Sequence, residues 1–156
     1  MLLRLAHGSE GGRVAPESGP VPDSQDSRRP GGSRSLLLVE DRPAISFALS
    51  DYFRIRGWDV ECAASPAEAE AALGRRRFTL LIADLSLSEP GSTDGLEVTR
   101  RVRREWPEIR TIILTAYGTA ETERIARRIG VDAFLHKPAP LAELARVAET
   151  LAGGEE

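Results

Sequence analysis

The sequence predicts an α/β fold, a parallel sheet with helices packed on both of its faces. Three observations predict it. Apolar strand-like runs and helix-period segments alternate from Ser35 onward with short connections, the order that builds βαβ crossovers. The runs Leu36–Val39, Phe78–Ala83 and Thr111–Leu114 lack regular polar alternation, as strands covered on both faces do. The chain of 156 residues shows no internal repeat and has room for one ordinary domain and a tail.

Taken in order, residues 1–34 are rich in Gly, Pro, Ser and charge, with no apolar periodicity after Ala6. Such a segment cannot bury enough surface to offset chain entropy and is expected to be disordered, with no role for His7. Leu36–Val39 is the first strand. Pro43 suits the first position of a helix with Asp41 near its N-terminus. Ile45, Leu49 and Phe53 mark that helix's buried face, Ala48 and Tyr52 adjoin it, and Gly57 ends it. Trp58–Ala63 is a more polar second strand, hence an edge strand. Ser65-Pro66-Ala67-Glu68 has the form of a capping box ahead of a helix that buries alanines and Leu73. Arg75, Arg76 and Arg77 at its end complement the helix dipole and stay solvated.

The third strand ends at Asp84. The loop that follows contains Pro90, Gly91 and Gly95 and is neither a P-loop nor a dinucleotide fingerprint. Leu96, Thr99, Val102 and Trp106 share a face of the third helix, Arg100, Arg101, Arg103 and Arg104 are expected in solvent, and Pro107 closes it. Thr111–Leu114 is the fourth strand and runs into Thr115. A looser helix over residues 120–129 carries Ile125 and Ile129 and stops at Gly130. Val131–Leu135 is the fifth strand, leading to His136-Lys137-Pro138. Leu141, Leu144, Ala145, Ala148 and Leu151 form the inner face of the last helix, and residues 153–156 are a short tail.

Composition narrows the function. Hydrophobic content of 41 % and charged content of 29 % are those of a soluble globular protein. A formal charge of −3 argues against general affinity for nucleic acid or anionic membrane. The single cysteine, Cys62, excludes an internal disulfide, fits a reducing cytoplasm, and is expected to fill core. No apolar run is long enough to span a bilayer. Arg4 interrupts the first apolar run, and the run after Arg28-Arg29 stops at Glu40-Asp41, so neither reads as an export signal. Of the 21 lysines and arginines only Lys137 is lysine. Where arginine otherwise serves for every positive charge, that lysine marks a site a planar guanidinium would not fit.

The chemistry gathers at the carboxyl ends of the strands, where open α/β sheets bind their ligands. Strand one offers Glu40 and Asp41, strand three Asp84, strand four Thr115 and strand five Lys137. If these strands are parallel neighbours, the side chains converge. Three carboxylates in one crevice repel and require a cation. A few hard oxygen ligands with room for water and phosphate suit Mg²⁺, and no Cys or His spacing suggests zinc. A carboxylate beside Mg²⁺, a hydroxyl and a lysine make a phosphoryl-acceptor site, with Asp84 as nucleophile and Lys137 and Thr115 holding phosphoryl oxygens.

Residues 35–152 resemble the receiver domain of bacterial two-component response regulators. The motifs are Leu37-Leu38-Val39-Glu40-Asp41, Leu81-Ile82-Ala83-Asp84, Thr115-Ala116-Tyr117-Gly118 and Asp132-Ala133-Phe134-Leu135-His136-Lys137-Pro138. The resemblance implies a flavodoxin-like, doubly wound sheet of five strands in the order 2-1-3-4-5 with five helices. It implies phosphorylation of Asp84 by a sensor histidine kinase or histidine phosphotransferase, or slowly by small phosphodonors. Mg²⁺ would be held by Asp41, Asp84 and the backbone carbonyl of Ser86, with Glu40 acting through water. Thr115 and Phe134 would be the switch pair, the ring swinging inward behind the hydroxyl, and the Lys137–Pro138 bond would be cis. Ser86 and Tyr117 stand where the family tunes dephosphorylation, and Tyr117 is expected to shield the phosphoaspartate. The loop after Asp84 is a few residues longer than the family's, with its proline displaced to Pro90. His136 is expected to be a bystander.

The reading that follows is a stand-alone cytoplasmic receiver that is no enzyme beyond its own phosphorylation and dephosphorylation. It would signal through the surface of its fourth helix, fifth strand and fifth helix, by homodimerisation or by docking on a separate effector, without touching nucleic acid or membrane. Two alternatives stay open. A haloacid-dehalogenase-like Mg²⁺-dependent phosphatase would need a second acid two residues after Asp84, where Ser86 stands. A phosphorylation-independent scaffold would not need the complete acidic set.

Overall fold

The computed structural model describes residues 34–153. The expectations for residues 1–33, His7 among them, and for residues 154–156 lie outside the described residues. The elements follow in strict alternation: β1 (Ser35–Val39), α1 (Pro43–Ile55), β2 (Asp59–Ala63), α2 (Pro66–Arg75), β3 (Leu80–Ala83), α3 (Asp94–Glu105), β4 (Arg110–Thr115), α4 (Ala120–Ile129), β5 (Ala133–His136) and α5 (Leu141–Gly153). All four strand pairings are parallel, and the sheet order is β2-β1-β3-β4-β5. The predicted five-stranded, doubly wound sheet is therefore the observed one.

The uninterrupted apolar runs of β1, β3 and β4 serve both faces at once. Leu37, Val39, Leu81, Ala83 and Ile113 join residues of α2, α3 and α4 in one core. Leu36, Leu38, Leu80, Ile82, Ile112 and Leu114 join α1 and α5 in the other. Each fully buried Leu or Ile contributes about 1.5–3 kcal/mol, so the three central strands anchor the fold. β2, with only two buried residues, takes an edge as expected.

Local signals set the helix ends. Pro43 opens α1, and Gly57 follows its end with φ +95°. The Ser65 hydroxyl accepts the Glu68 backbone N–H at 3.1 Å, but the Glu68 carboxylate reaches back to the N–H of Ala64, one residue beyond the reciprocal pairing of a capping box. Gly130 ends α4 with φ +106°, its N–H donating to the Ala126 and Arg127 carbonyls.

Several burial expectations need correction. Cys62 is exposed, because the edge strand carrying it is not covered there. Ala48 is exposed, and Ser50 is buried instead, donating to the Phe47 carbonyl within its own helix. Val98 joins the buried face of α3. Arg103 does more than meet solvent, since its Nη1 donates to the carbonyls of Pro107 and Ile109 and braces the turn into β4. Leu141, expected inside, is exposed at the first turn of α5. Arg34, placed with the tail from sequence, accepts the Asp59 N–H through its carbonyl at 2.8 Å. Among the described residues no helix is long and apolar enough to cross a membrane.

Candidate functional site

Sheet register builds the site. Val39 pairs with Ala83, and Ala83 with Ile113. The backbone ladder continues one step further: Glu40 N–H donates to the Ala63 carbonyl and Asp84 N–H to the Val39 carbonyl, each at 3.0 Å. Glu40 and Asp84 are therefore held level and adjacent at the carboxyl edge. On the far side Thr115 pairs with His136, and the Lys137 N–H donates to the Thr115 carbonyl at 2.9 Å. The hydroxyl and the ammonium thus enter from strands locked to one another.

The side chains meet. Lys137 Nζ donates to Glu40 Oε1 at 2.9 Å and to Asp84 Oδ2 at 3.2 Å. The side chains of Glu40 and Asp84 are 2 % and 3 % exposed, so these are contacts in a largely dry setting, where breaking a pair leaves an uncompensated charge. Glu40 Oε2 accepts the Arg42 backbone N–H at 3.1 Å and lies 3.5 Å from Arg42 Nε. Asp84 Oδ1 accepts the Ser86 N–H at 3.2 Å. Thr115 is fully buried, and its Oγ1 accepts the Tyr117 N–H at 3.1 Å, which leaves the hydroxyl hydrogen free to be given to an acceptor.

Carboxylate oxygens of Glu40, Asp41 and Asp84 lie within 4.8 Å of one another. The Asp41 side chain has no hydrogen-bond partner among the described residues. Among the described residues two cations touch Glu40, one touches Asp84, and none reaches Asp41. A donor set of hard oxygens with an unneutralised member fits a divalent cation of the Mg²⁺ type. The structure brings Glu40, Asp41, Asp84 and Lys137 together and sets Thr115 on the neighbouring strand end, while sequence reasoning did not foresee that Glu40 is taken up by Lys137 and Arg42. Arg42 carried only a weak signal, adjacency to the acidic pair.

The remaining expected residues frame this cluster. The Lys137–Pro138 peptide is cis. Ser86 Oγ donates to the Ser92 carbonyl at 2.7 Å, so the position where a dehalogenase-type phosphatase needs an acid holds a hydroxyl tied to its own loop. The long loop after Asp84 runs along the rim of the acidic cleft. Leu85 and Leu87 are buried beneath it, and its tip lines one wall of a cleft of about 110 Å³ shared by Asp41, Ser86, Glu89, Pro90 and Tyr117. Gly95 packs against the loop's start, its N–H donating to the Leu85 carbonyl at 2.8 Å. Phe134, expected to swing inward, is already inside at 5 % exposure. Gly118 makes the room, since a Cβ there would fall 2.8 Å from the ring. His136 is exposed, 3.8 Å from Glu123 of α4.

Known proteins match this arrangement. The family model for the response regulator receiver domain matches residues 36–149. The photosynthetic apparatus regulatory protein RegA of Cereibacter sphaeroides is 36 % identical over 125 residues, 80 % of this chain and 65 % of that one. A CheY-like receiver domain protein from Methanospirillum hungatei superposes with a TM-score of 0.70 at 26 % identity, covering 77 % of this chain and 94 % of the other. A Burkholderia pseudomallei response regulator, solved with a phosphorylated aspartic acid, a calcium ion and citrate, gives 0.69 at 27 % identity, over 77 % and 69 % of the chains. The matches span 65 %, 58 % and 44 % of three curated relatives' lengths.

Proposed function

The chain belongs to the response regulator receiver domain family, and from that premise we propose that Asp84 is its phosphoacceptor in a Mg²⁺-dependent reaction. One observation carries the reading: Lys137 Nζ touches both Glu40 and Asp84 while Asp41 stands beside them with no cation on it among the described residues. Bound Mg²⁺ would supply positive charge to the transferring group, held by Asp41, Asp84 and the Ser86 carbonyl, with Glu40 acting through water. The chain's own groups do the rest. An Asp84 carboxylate oxygen attacks phosphorus as the bond from phosphorus to the donor breaks and its electron pair leaves on the donor atom. Lys137 shifts its donors from carboxylate to phosphoryl oxygens, and the Thr115 hydroxyl donates to another of them. The phosphoaspartate and calcium of the Burkholderia relative support the same chemistry here.

The donor in this reading is the phosphohistidine of a sensor kinase or phosphotransferase, which places the protein in the cytoplasm. Thr115 and Phe134 couple phosphorylation to the surface of α4, β5 and α5, where a second copy or a separate effector docks. Treatment with acetyl phosphate and Mg²⁺ tests the core of this. Label should appear in the parent and vanish in Asp84→Asn. Label retained by the variant would overturn the assignment.

A further inference from the structure

The cleft beside Asp41 has one wall that this chemistry does not use. Arg42 forms it, at the residue that caps the start of α1. Its guanidinium is anchored at one end only, with Nε 3.5 Å from the buried Glu40 carboxylate and the side chain 47 % exposed. The two Nη groups have no hydrogen-bond partner among the described residues. Arg42 is the one cation in the cleft lining; the charged residues that share it are the acids Asp41 and Glu89. A volume of about 110 Å³ admits a group of a few heavy atoms.

We infer that Arg42 selects among small phosphodonors by binding the departing carboxylate of an acyl phosphate. This rests on the phosphoacceptor reading of Asp84. In the step, an Asp84 oxygen forms the new bond to phosphorus. The bond from phosphorus to the acyl oxygen breaks, and its electron pair leaves on the carboxylate. Negative charge grows on that leaving group, and a guanidinium fork is the side chain best matched to a carboxylate. Phosphoramidate makes the contrast: its phosphorus–nitrogen bond breaks, the electron pair leaves on an already protonated nitrogen, and neutral ammonia departs. Arg42 has no growing negative charge to meet there. With Asp41 given to the metal, Glu89 is the acid left to repel a departing anion, and Arg42 offsets it. Its tether to Glu40 keeps the fork at the mouth instead of letting it range through solvent.

The test is a ratio. Initial rates of Asp84 phosphorylation are measured at saturating Mg²⁺ with acetyl phosphate and with phosphoramidate, for the parent, Arg42→Gln and Arg42→Lys. For a partly exposed charge-assisted contact, the acetyl phosphate to phosphoramidate ratio should fall about fivefold in Arg42→Gln. Arg42→Lys should restore part of it, because the charge returns without the fork. An unchanged ratio overturns the inference, whether both rates hold or both fall together, since a common fall would mean that Arg42 acts only through Glu40 and the metal. If the parent takes label from neither donor, or Asp84→Asn still does, the phosphoacceptor reading fails instead.

Discussion

The two edges of the sheet handle charge in opposite ways. At the amino edge acids and arginines pair off in solvent: Arg75 with Glu61, Arg76 with Asp59 at 3.0 Å, Arg77 with Glu108 at 3.6 Å and Arg110 with Asp132 at 3.2 Å. At the carboxyl edge three carboxylates cluster, two of them buried, around one ammonium and a single arginine whose backbone N–H and Nε both face Glu40. The first arrangement is locally neutral and contributes little per pair, because water already screens each charge. The second holds an excess of negative charge out of water. An edge built that way is organised for something that arrives with positive charge, and its cost is carried by the cores on either side of the sheet.

Four experiments test this contrast. The largest effect should come from glycine. A Cβ on Gly95 would sit 2.0 Å from the Asp84 carbonyl oxygen and 2.8 Å from the Leu85 Cα, so backbone must move beneath the acidic cluster. Gly95→Ala should cost about 3 kcal/mol in urea unfolding, at the upper end for overpacking. Gly74, near the amino edge, has nothing within 4 Å of that position, and Gly74→Ala in α2 should gain up to about 1 kcal/mol. Equal responses at the two positions would contradict the rigid support drawn here for Asp84.

Lysine against arginine comes next. Lys137→Met strands two buried carboxylates and should lower stability by about 3 kcal/mol without divalent cation, and by less when Mg²⁺ is added. Arg76→Met at the other edge should lose under about 1 kcal/mol under both conditions. Unfolding curves with and without Mg²⁺ compare the pairs directly.

Asp41 gives a smaller effect of opposite sign. Asp41→Asn removes the acid that no cation reaches among the described residues and should raise the melting temperature in chelator by a few degrees, corresponding to roughly 0.5–1 kcal/mol. The same change should abolish the stabilisation that Mg²⁺ gives the parent, which follows from binding to the folded state alone. A variant that Mg²⁺ still stabilises fully would place the ion elsewhere.

Tyr117 is the smallest test and concerns lifetime, not stability. The ring is 44 % exposed and walls the cleft next to Asp41 and Ser86. Tyr117→Ala should speed loss of phosphate from Asp84 a fewfold, a difference of about 1 kcal/mol in barrier, with little change in unfolding. Phosphate lost no faster than in the parent would remove the shielding role.

Much of this was legible in the chain. Leu36–Val39, Phe78–Ala83 and Thr111–Leu114 announce buried strands because continuous apolar runs of that length have few other homes. Pro43, Ser65 and Gly130 announce helix ends because their backbones and side chains favour those positions. Burial at the margins was less legible. Cys62 and Leu141 look like core from composition, yet one lies on an uncovered edge strand and the other on a helix's first turn. Apolarity says that a residue can be buried, while the neighbouring element decides whether it is.

Residue order alone dictates which side chains stand at the strand ends, since an acid or hydroxyl following an apolar run emerges wherever the sheet ends. Only the folded sheet decided how those groups share one another. Lys137 bridges Glu40 and Asp84, Arg42 takes the second oxygen of Glu40, Asp41 is left over, and Gly118 lets Phe134 rest inside. Those are distances between residues up to 97 positions apart. Parallel pairing sets them, through register and crossover packing that no single segment encodes.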